Sequence, residues 1–277
     1  MVPSSAQRTA YYQEVARYFD DEARLFERHY ENNPILQRIR GDFRAITLEQ
    51  PFTSGLEIGC GPGIDIAWFA AAHPDLRWRA IDIAPRMVGE AREKLAALSG
   101  VDVRVEVGAP EDLATLFPQE RFDLIYCYFG ALNTVPDLRE TAQALGRALT
   151  PQGAMVLTFV NRWFLFDLIW NLLRLRPRRA LARITGSWAG YSPSRPLASS
   201  ARSAREVRRA FAPEFRCIKA RGYSIVYPAW YRHRFLPVEG WLGRLLWRID
   251  ALLNRTPLWN LGEYTLYLFM RREEAQE

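Results

Sequence analysis

The sequence predicts an α/β fold, a parallel sheet covered by helices on both faces, on three observations. From residue 54 to residue 160 short apolar runs alternate with amphipathic, helix-like stretches, the rhythm of strand–helix–strand units. The first run leads into "LEIGCGPGID" (56–65), three alternating glycines before a helical pattern, as in a sharp strand-to-helix turn that something can approach without meeting a Cβ. With 277 residues, 49% of them hydrophobic and 25% charged, the chain can bury a full core. It suits one large domain, or one domain with a sizeable insertion.

The elements follow in order. Residues 6–47 read as helices, with Val15, Phe19 and Phe26 set among charges. The strands are "LEIG" (56–59), "WRAIDI" (78–83), "VRVEV" (103–107), "FDLIYCYF" (122–129) and "AMVLTFV" (154–160). Of the helices between them, 85–98 shows its ends most plainly, with Pro85 at the start and Gly100 past the finish. After residue 160 the rhythm breaks, and residues 161–214 precede the next strand, "CIKARGYSIVY" (217–227). An aromatic stretch, 229–262, is too long for a hairpin and must pack over something before the last strand, "YTLYLFM" (264–270). "GYSPSRPLASSARS" (190–203) reads as the loop-like tract.

Composition narrows the function. The formal charge of +6 hints at an anionic partner. Only Lys94 and Lys219 are lysines, however, so the excess is an arginine excess and reads as coding bias rather than nucleic-acid binding. Cys60, Cys127 and Cys217 are too few and too scattered for a disulfide framework or a zinc site, which fits a reducing, cytoplasmic setting. The opening stretch holds no apolar signal core, and 159–175 is interrupted by Arg162, Asp167 and Arg174, so no membrane span is expected. The amphipathic run 163–173 and the basic "RLRPRRALAR" (174–183) read either as a solvated helix end or as a contact with the inner face of a membrane.

The glycine loop calls for a nucleotide-like ligand, and its neighbours say which. A dinucleotide fingerprint ends in a third glycine where this chain has Ile64. Glu57, two residues before the loop, would repel a pyrophosphate and welcome a cation. S-adenosylmethionine is such a ligand, with a sulfonium, an ammonium and no phosphate. Asp82 closes the second strand nineteen residues after Gly63, placed to accept both ribose hydroxyls; Ile83 and Met87 would flank the adenine.

On these residues the chain resembles the class I S-adenosylmethionine-dependent methyltransferases over about residues 50–160. The family's E-x-G-x-G-x-G matches Glu57, Gly59, Gly61 and Gly63, and its second-strand acid matches Asp82. Where the family shows an acid near the adenine amino group the chain has Ala109, followed by Pro110, which leaves Glu111 or Asp112 as substitutes. The resemblance implies that the backbone at Cys127 and Tyr128 binds the cofactor's amino group. "FGALNTVPDL" (129–138) is similar to a bacterial subgroup of methyltransferase-11-type proteins with an aromatic, proline-rich C-terminal third.

The resemblance implies a Rossmann-like sheet of seven strands with the last one antiparallel. It implies three parts: a helical cap (1–48), the cofactor-binding core (49–160), and the last two strands with insertions that cover the substrate (161–277). The reaction would be methyl transfer from S-adenosylmethionine to O, N or C of a small aromatic or lipid-like acceptor, with no metal and no nucleic acid. Trp163, Trp230, Tyr231, His233 and Trp241 are the available acceptor wall, with Tyr231 and His233 as catalytic candidates and Arg232 or Arg234 to pair an acidic substituent. Tyr11, Tyr12 and Tyr18 either cap the cofactor or pack the first helix. Two rival readings are a catalytically inactive methyltransferase-like binding protein and an NAD-dependent oxidoreductase, the second disfavoured by Ile64 and Glu57.

Overall fold

The computed structural model describes residues 5–185, 190, 197, 199–231 and 240–272. Helices α1 (Ser5–Glu31) and α2 (Pro34–Leu48) come first. They part at Asn33, whose side-chain oxygen caps α2 by accepting from the N–H groups of Ile35 and Leu36. Next come β1 (Ser54–Ile58), α3 (Ile64–Ala72), β2 (Arg77–Asp82), α4 (Pro85–Ala96), β3 (Asp102–Val107), α5 (Leu113–Leu116), β4 (Phe122–Cys127), α6 (Leu138–Ala148) and β5 (Leu149–Val160). The remainder is α7 (Leu165–Leu173), α8 (Pro177–Thr185), α9 (Ala204–Phe211), β6 (Phe215–Tyr223), α10 (Trp241–Leu253) and β7 (Tyr264–Arg271).

The strands form one seven-stranded sheet in the order β3-β2-β1-β4-β5-β7-β6. Its first five members pair in parallel, and β7 runs antiparallel to both β5 and β6. This is the expected fold: α/β, seven strands, the last one antiparallel and inserted between its predecessors. Strand alternation builds two apolar layers. Leu266 and Leu268 of β7 face a layer with Phe43, Trp78 and Tyr126, covered by α2, α3, α4 and α10. Tyr267 and Phe269 face the other, with Ile125, Leu145 and Phe211, covered by α5, α6 and α9. Gly55 of β1 is required by this packing, because a Cβ there would lie 2.3 Å from the Trp78 ring.

Two strands stop earlier than their apolar runs. β4 ends at Cys127 because Phe129 adopts φ 53° and Gly130 φ 80°, which turn the chain out of the sheet. β6 ends at Tyr223 because Ser224 adopts φ 57°. Asp250 of α10 then collects the N–H groups of Ile225, Val226 and Tyr227 at 2.9, 2.8 and 3.1 Å. A buried carboxylate replaces the neighbouring strand that this apolar run would otherwise need. Among the described residues no helix is long and apolar enough to cross a membrane.

Candidate functional site

The carboxyl ends of the parallel strands open into a cavity of about 400 Å³. Its floor is the turn from β1 to α3, where Gly59, Gly61 and Gly63 have φ of 70°, 53° and 78°. The three glycines do different work. A Cβ on Gly59 would lie 2.3 Å from the Ala131 Cβ, and one on Gly63 would lie 2.9 and 3.0 Å from Cβ and Cα of Ala91 in α4. These two let chains pass close together. A Cβ on Gly61 would meet only Phe26, at 3.8 Å, and would otherwise stand in the cavity. Gly63 caps α3 and is not a cavity wall.

Two acids stand at the strand tips beside this turn. Asp82 Oδ2 accepts the Gly61 N–H at 2.8 Å and Oδ1 accepts the Ala84 N–H at 2.9 Å, so it fixes the glycine turn as well as lining the cavity. Burial pushes its carboxyl above the usual range against the pull of these backbone donors. A carboxylate has about four acceptor sites, so these bonds leave it capacity for a ligand hydroxyl. Glu57 is buried on the cavity floor and accepts the Tyr126 hydroxyl at 3.2 Å. Burial first, and the Asp65 charge second, hold its carboxyl well above the usual range. Asp65 is itself held by Arg44 Nε at 2.7 Å and Arg40 Nε at 3.3 Å. A cation on this floor would favour the ionised form of Glu57.

Helix α1 forms the outer wall, with Tyr12, Tyr18, Phe19 and Phe26 lining the cavity. Phe19 and Phe26 pack over Met87 and Ala84 at the start of α4. Polar contacts tie the helix down along its length. Arg8 pairs with Glu140, the Arg86 N–H donates to Asp20, and Lys94 reaches Glu27. At the far end the cavity runs past Tyr128, Phe129, Val160, Leu197, Trp230 and Tyr264. Phe129 is held at positive φ against the Phe43 and Tyr264 rings, a strained backbone of the kind that clusters at functional sites.

A family model described as "Methyltransferase domain" matches residues 56–153, the stretch that supplies the glycine turn and both acids. Over that stretch the chain is similar to methyltransferases. A curated relative, trans-aconitate 2-methyltransferase of Escherichia coli O139:H28, is 30% identical over 107 residues, 39% of this chain and 39% of that protein. The match therefore spans well under half the length of the curated relatives. A solved S-adenosylmethionine-dependent methyltransferase from Mesorhizobium loti is 18% identical, with TM-score 0.53 over 84% of this chain and 96% of that one. The cyclase SpnF is 13% identical, with TM-score 0.60 over 99% and 98%. The plantazolicin methyltransferase BamL, solved with a triazolic desmethylPZN analog and SAH, is 12% identical, with TM-score 0.54 over 96% and 99%. These likenesses concern the fold.

Within the matched stretch, Glu57, Gly59, Gly61, Asp82, Ile83, Met87 and Tyr128 all line the cavity. Glu111, expected as a substitute beside the adenine, does not line the cavity. Its two oxygens accept the Tyr12 hydroxyl at 2.8 Å and the Thr141 hydroxyl at 2.7 Å. The 3-10 turn that begins at Pro110 directs it to α1 and α6, and Gly108, Ala109 and Pro110 form the wall instead. Asp112 accepts the Ala109 N–H at 2.9 Å. Cys127 is buried beneath the cavity, with burial raising its thiol to about 12, and its carbonyl accepts the Thr158 hydroxyl at 3.1 Å.

The expected acceptor wall divides. Trp230 lines the cavity, whereas Trp163 and Trp241 are 42% and 72% exposed. The Tyr231 hydroxyl donates to Asp167 of α7 at 3.3 Å. His233, Arg232 and Arg234 lie outside the described residues. Sequence reasoning missed Arg40, Phe129 and Tyr264 as walls. Only the positive φ of Phe129, beside Gly130, had any local signal, in the turn-forming glycine.

Proposed function

We propose that this protein transfers the methyl group of S-adenosylmethionine to a small aromatic or lipid-like acceptor. The observation that carries the reading is the continuity of one cavity from the glycine turn, Glu57 and Asp82 to an apolar end walled by Phe129, Val160, Leu197, Trp230 and Tyr264. The residues fit the cofactor: the space a Gly61 Cβ would occupy is open, Asp82 stands at the cavity wall with acceptor oxygens, and Glu57 is a buried acid on its floor. Glu57 would face the ammonium group, Asp82 the ribose hydroxyls, Ile83 and Met87 the adenine, and the backbone at Tyr128 the methionine end. When bound, the cofactor supplies an electrophilic methyl on a sulfonium.

The protein's own contribution is positioning and exclusion of water, the main needs of an in-line displacement. Tyr12, Tyr18, Phe19 and Phe26 of α1 close one side, and Trp230 closes the other. We place Tyr231 and His233 on the acceptor side as orienting or proton-accepting groups, from their position directly after Trp230. The acceptor end is built largely from residues after 153, beyond the reach of the matched family model, so the acceptor is this chain's own choice.

Calorimetric titration with S-adenosylmethionine, its demethylated product and NAD tests the cofactor. Binding of the first two and not the third is expected; binding of NAD alone would return the oxidoreductase. Mass spectrometry of a cell extract incubated with isotope-labelled cofactor then tests turnover. Cofactor binding without any labelled product would favour the inactive binding protein.

A further inference from the structure

The turn between α7 and α8 exposes eight consecutive residues, 172–179: three leucines, four arginines and a proline, with no acid among them. Leu173 and Leu175 are 76% and 88% exposed. Helix α7 has no fully buried residue, and Ile169, Leu172 and Leu173 fall at i, i+3 and i+4 on one stripe of it.

The turn is ordered and its apex is costly. The Leu175 N–H reaches the Leu172 carbonyl and the Arg176 N–H reaches the Asn171 carbonyl, each at 2.9 Å, the paired bonds of a Schellman cap. That motif puts Leu175 at φ 54°, where glycine is the usual residue. A leucine there is strained, and its side chain is left in solvent. At the base the hairpin is anchored, for Arg183 is buried, donates to the Asn161 carbonyl at 3.3 Å and sits 3.6 Å from Asp167. Base fixed and tip apolar, the hairpin continues from the carboxyl end of β5, whose Val160 lines the cavity.

We propose that the α7–α8 turn docks the protein on an anionic lipid bilayer. Leu173 and Leu175 enter the acyl boundary, and Arg174, Arg176, Arg178 and Arg179 meet the lipid phosphates. The composition selects this partner. Nucleic acid would engage the arginines and leave two leucines in water, whereas a bilayer takes the apolar apex and the basic flank together. Arg176, Arg178 and Arg179 also share an open recess with Leu175. The proposal concerns a surface and does not depend on the reaction.

Co-sedimentation of the full chain with phosphatidylcholine vesicles, with and without phosphatidylglycerol, tests it. Binding at least about tenfold stronger to the anionic vesicles, and weakening with salt, is expected. The pair Leu173→Ser and Leu175→Ser, and separately the pair Arg178→Glu and Arg179→Glu, should each lower it about tenfold or more with thermal stability unchanged. Absence of binding, or binding that survives both pairs, overturns the proposal. So does a lipid-free dimer, seen by sedimentation, that the serine pair dissolves, because the face would then belong to a second copy.

Discussion

Gly61 and Gly63 stand two residues apart in one turn, both at positive φ, yet their replacement by alanine should fail in different ways. At Gly63 the new Cβ would lie 2.9 Å from the Ala91 Cβ and 3.0 Å from its Cα. The second is backbone inside α4 and cannot rotate away. Overpacking of this kind costs about 1–3 kcal/mol, and the left-handed backbone adds about 1–2 kcal/mol. Gly63→Ala should therefore lose about 2–5 kcal/mol, a fall in Tm of about 3–9 °C for a chain of this size. At Gly61 the new Cβ meets Phe26 at an ordinary 3.8 Å, so only the backbone cost of about 1–2 kcal/mol applies. That Cβ stands in the cavity, so Gly61→Ala should weaken cofactor binding by tenfold or more, about 1.4 kcal/mol. Gly61→Val should abolish binding with the far-UV circular dichroism kept. Urea unfolding and calorimetric titration of the two alanine variants separate stability from binding. If Gly63→Ala is no less stable than Gly61→Ala, the close helix approach is not what the third glycine serves.

Other perturbations test the rest of the site. Asp82→Ala should weaken cofactor binding by about 2–3 kcal/mol and also lower Tm, since the Gly61 and Ala84 N–H groups lose their acceptor; unchanged affinity would put the ribose elsewhere. Glu57 binds its proton more tightly in the folded than in the unfolded chain. Its contribution to stability therefore falls as pH rises from the ordinary carboxyl range through its raised folded value. Glu57→Gln should flatten that slope and stabilise the ligand-free protein at neutral pH while weakening cofactor binding; an unchanged slope in thermal melts against pH would count against a buried, proton-retaining Glu57. Tyr231→Ala and His233→Ala should each leave cofactor affinity within about twofold and lower turnover at least tenfold, about 1.4 kcal/mol of transition-state stabilisation. Insensitive acceptor methylation would move substrate binding towards α1.

The sequence alone determined the strand–helix alternation, the glycine turn and the two acids at the tips of β1 and β2, because period and punctuation are local; the antiparallel last strand came only through the family resemblance. A five-residue apolar strand, a glycine turn and a proline-started helix need no distant partner to be recognised. What a side chain meets across the fold is a different quantity. Glu111 follows β3 as a cofactor ligand would, but Tyr12, 99 residues away, and Thr141, 30 residues away, take its two oxygens. Tyr231 follows the wall residue Trp230 in sequence, yet its hydroxyl rests on Asp167, 64 residues earlier. Arg40 sits inside an ordinary amphipathic helix and becomes cavity wall only because α2 packs over the β1 tip, where Asp65 holds it. Three glycines look alike in the sequence, and only the neighbours Ala131, Ala91 and Phe26 tell packing from ligand space. Local backbone preference is written in each residue and its near neighbours. The partner that satisfies a buried polar group is chosen when distant segments close on one another, and that choice lives in the tertiary structure.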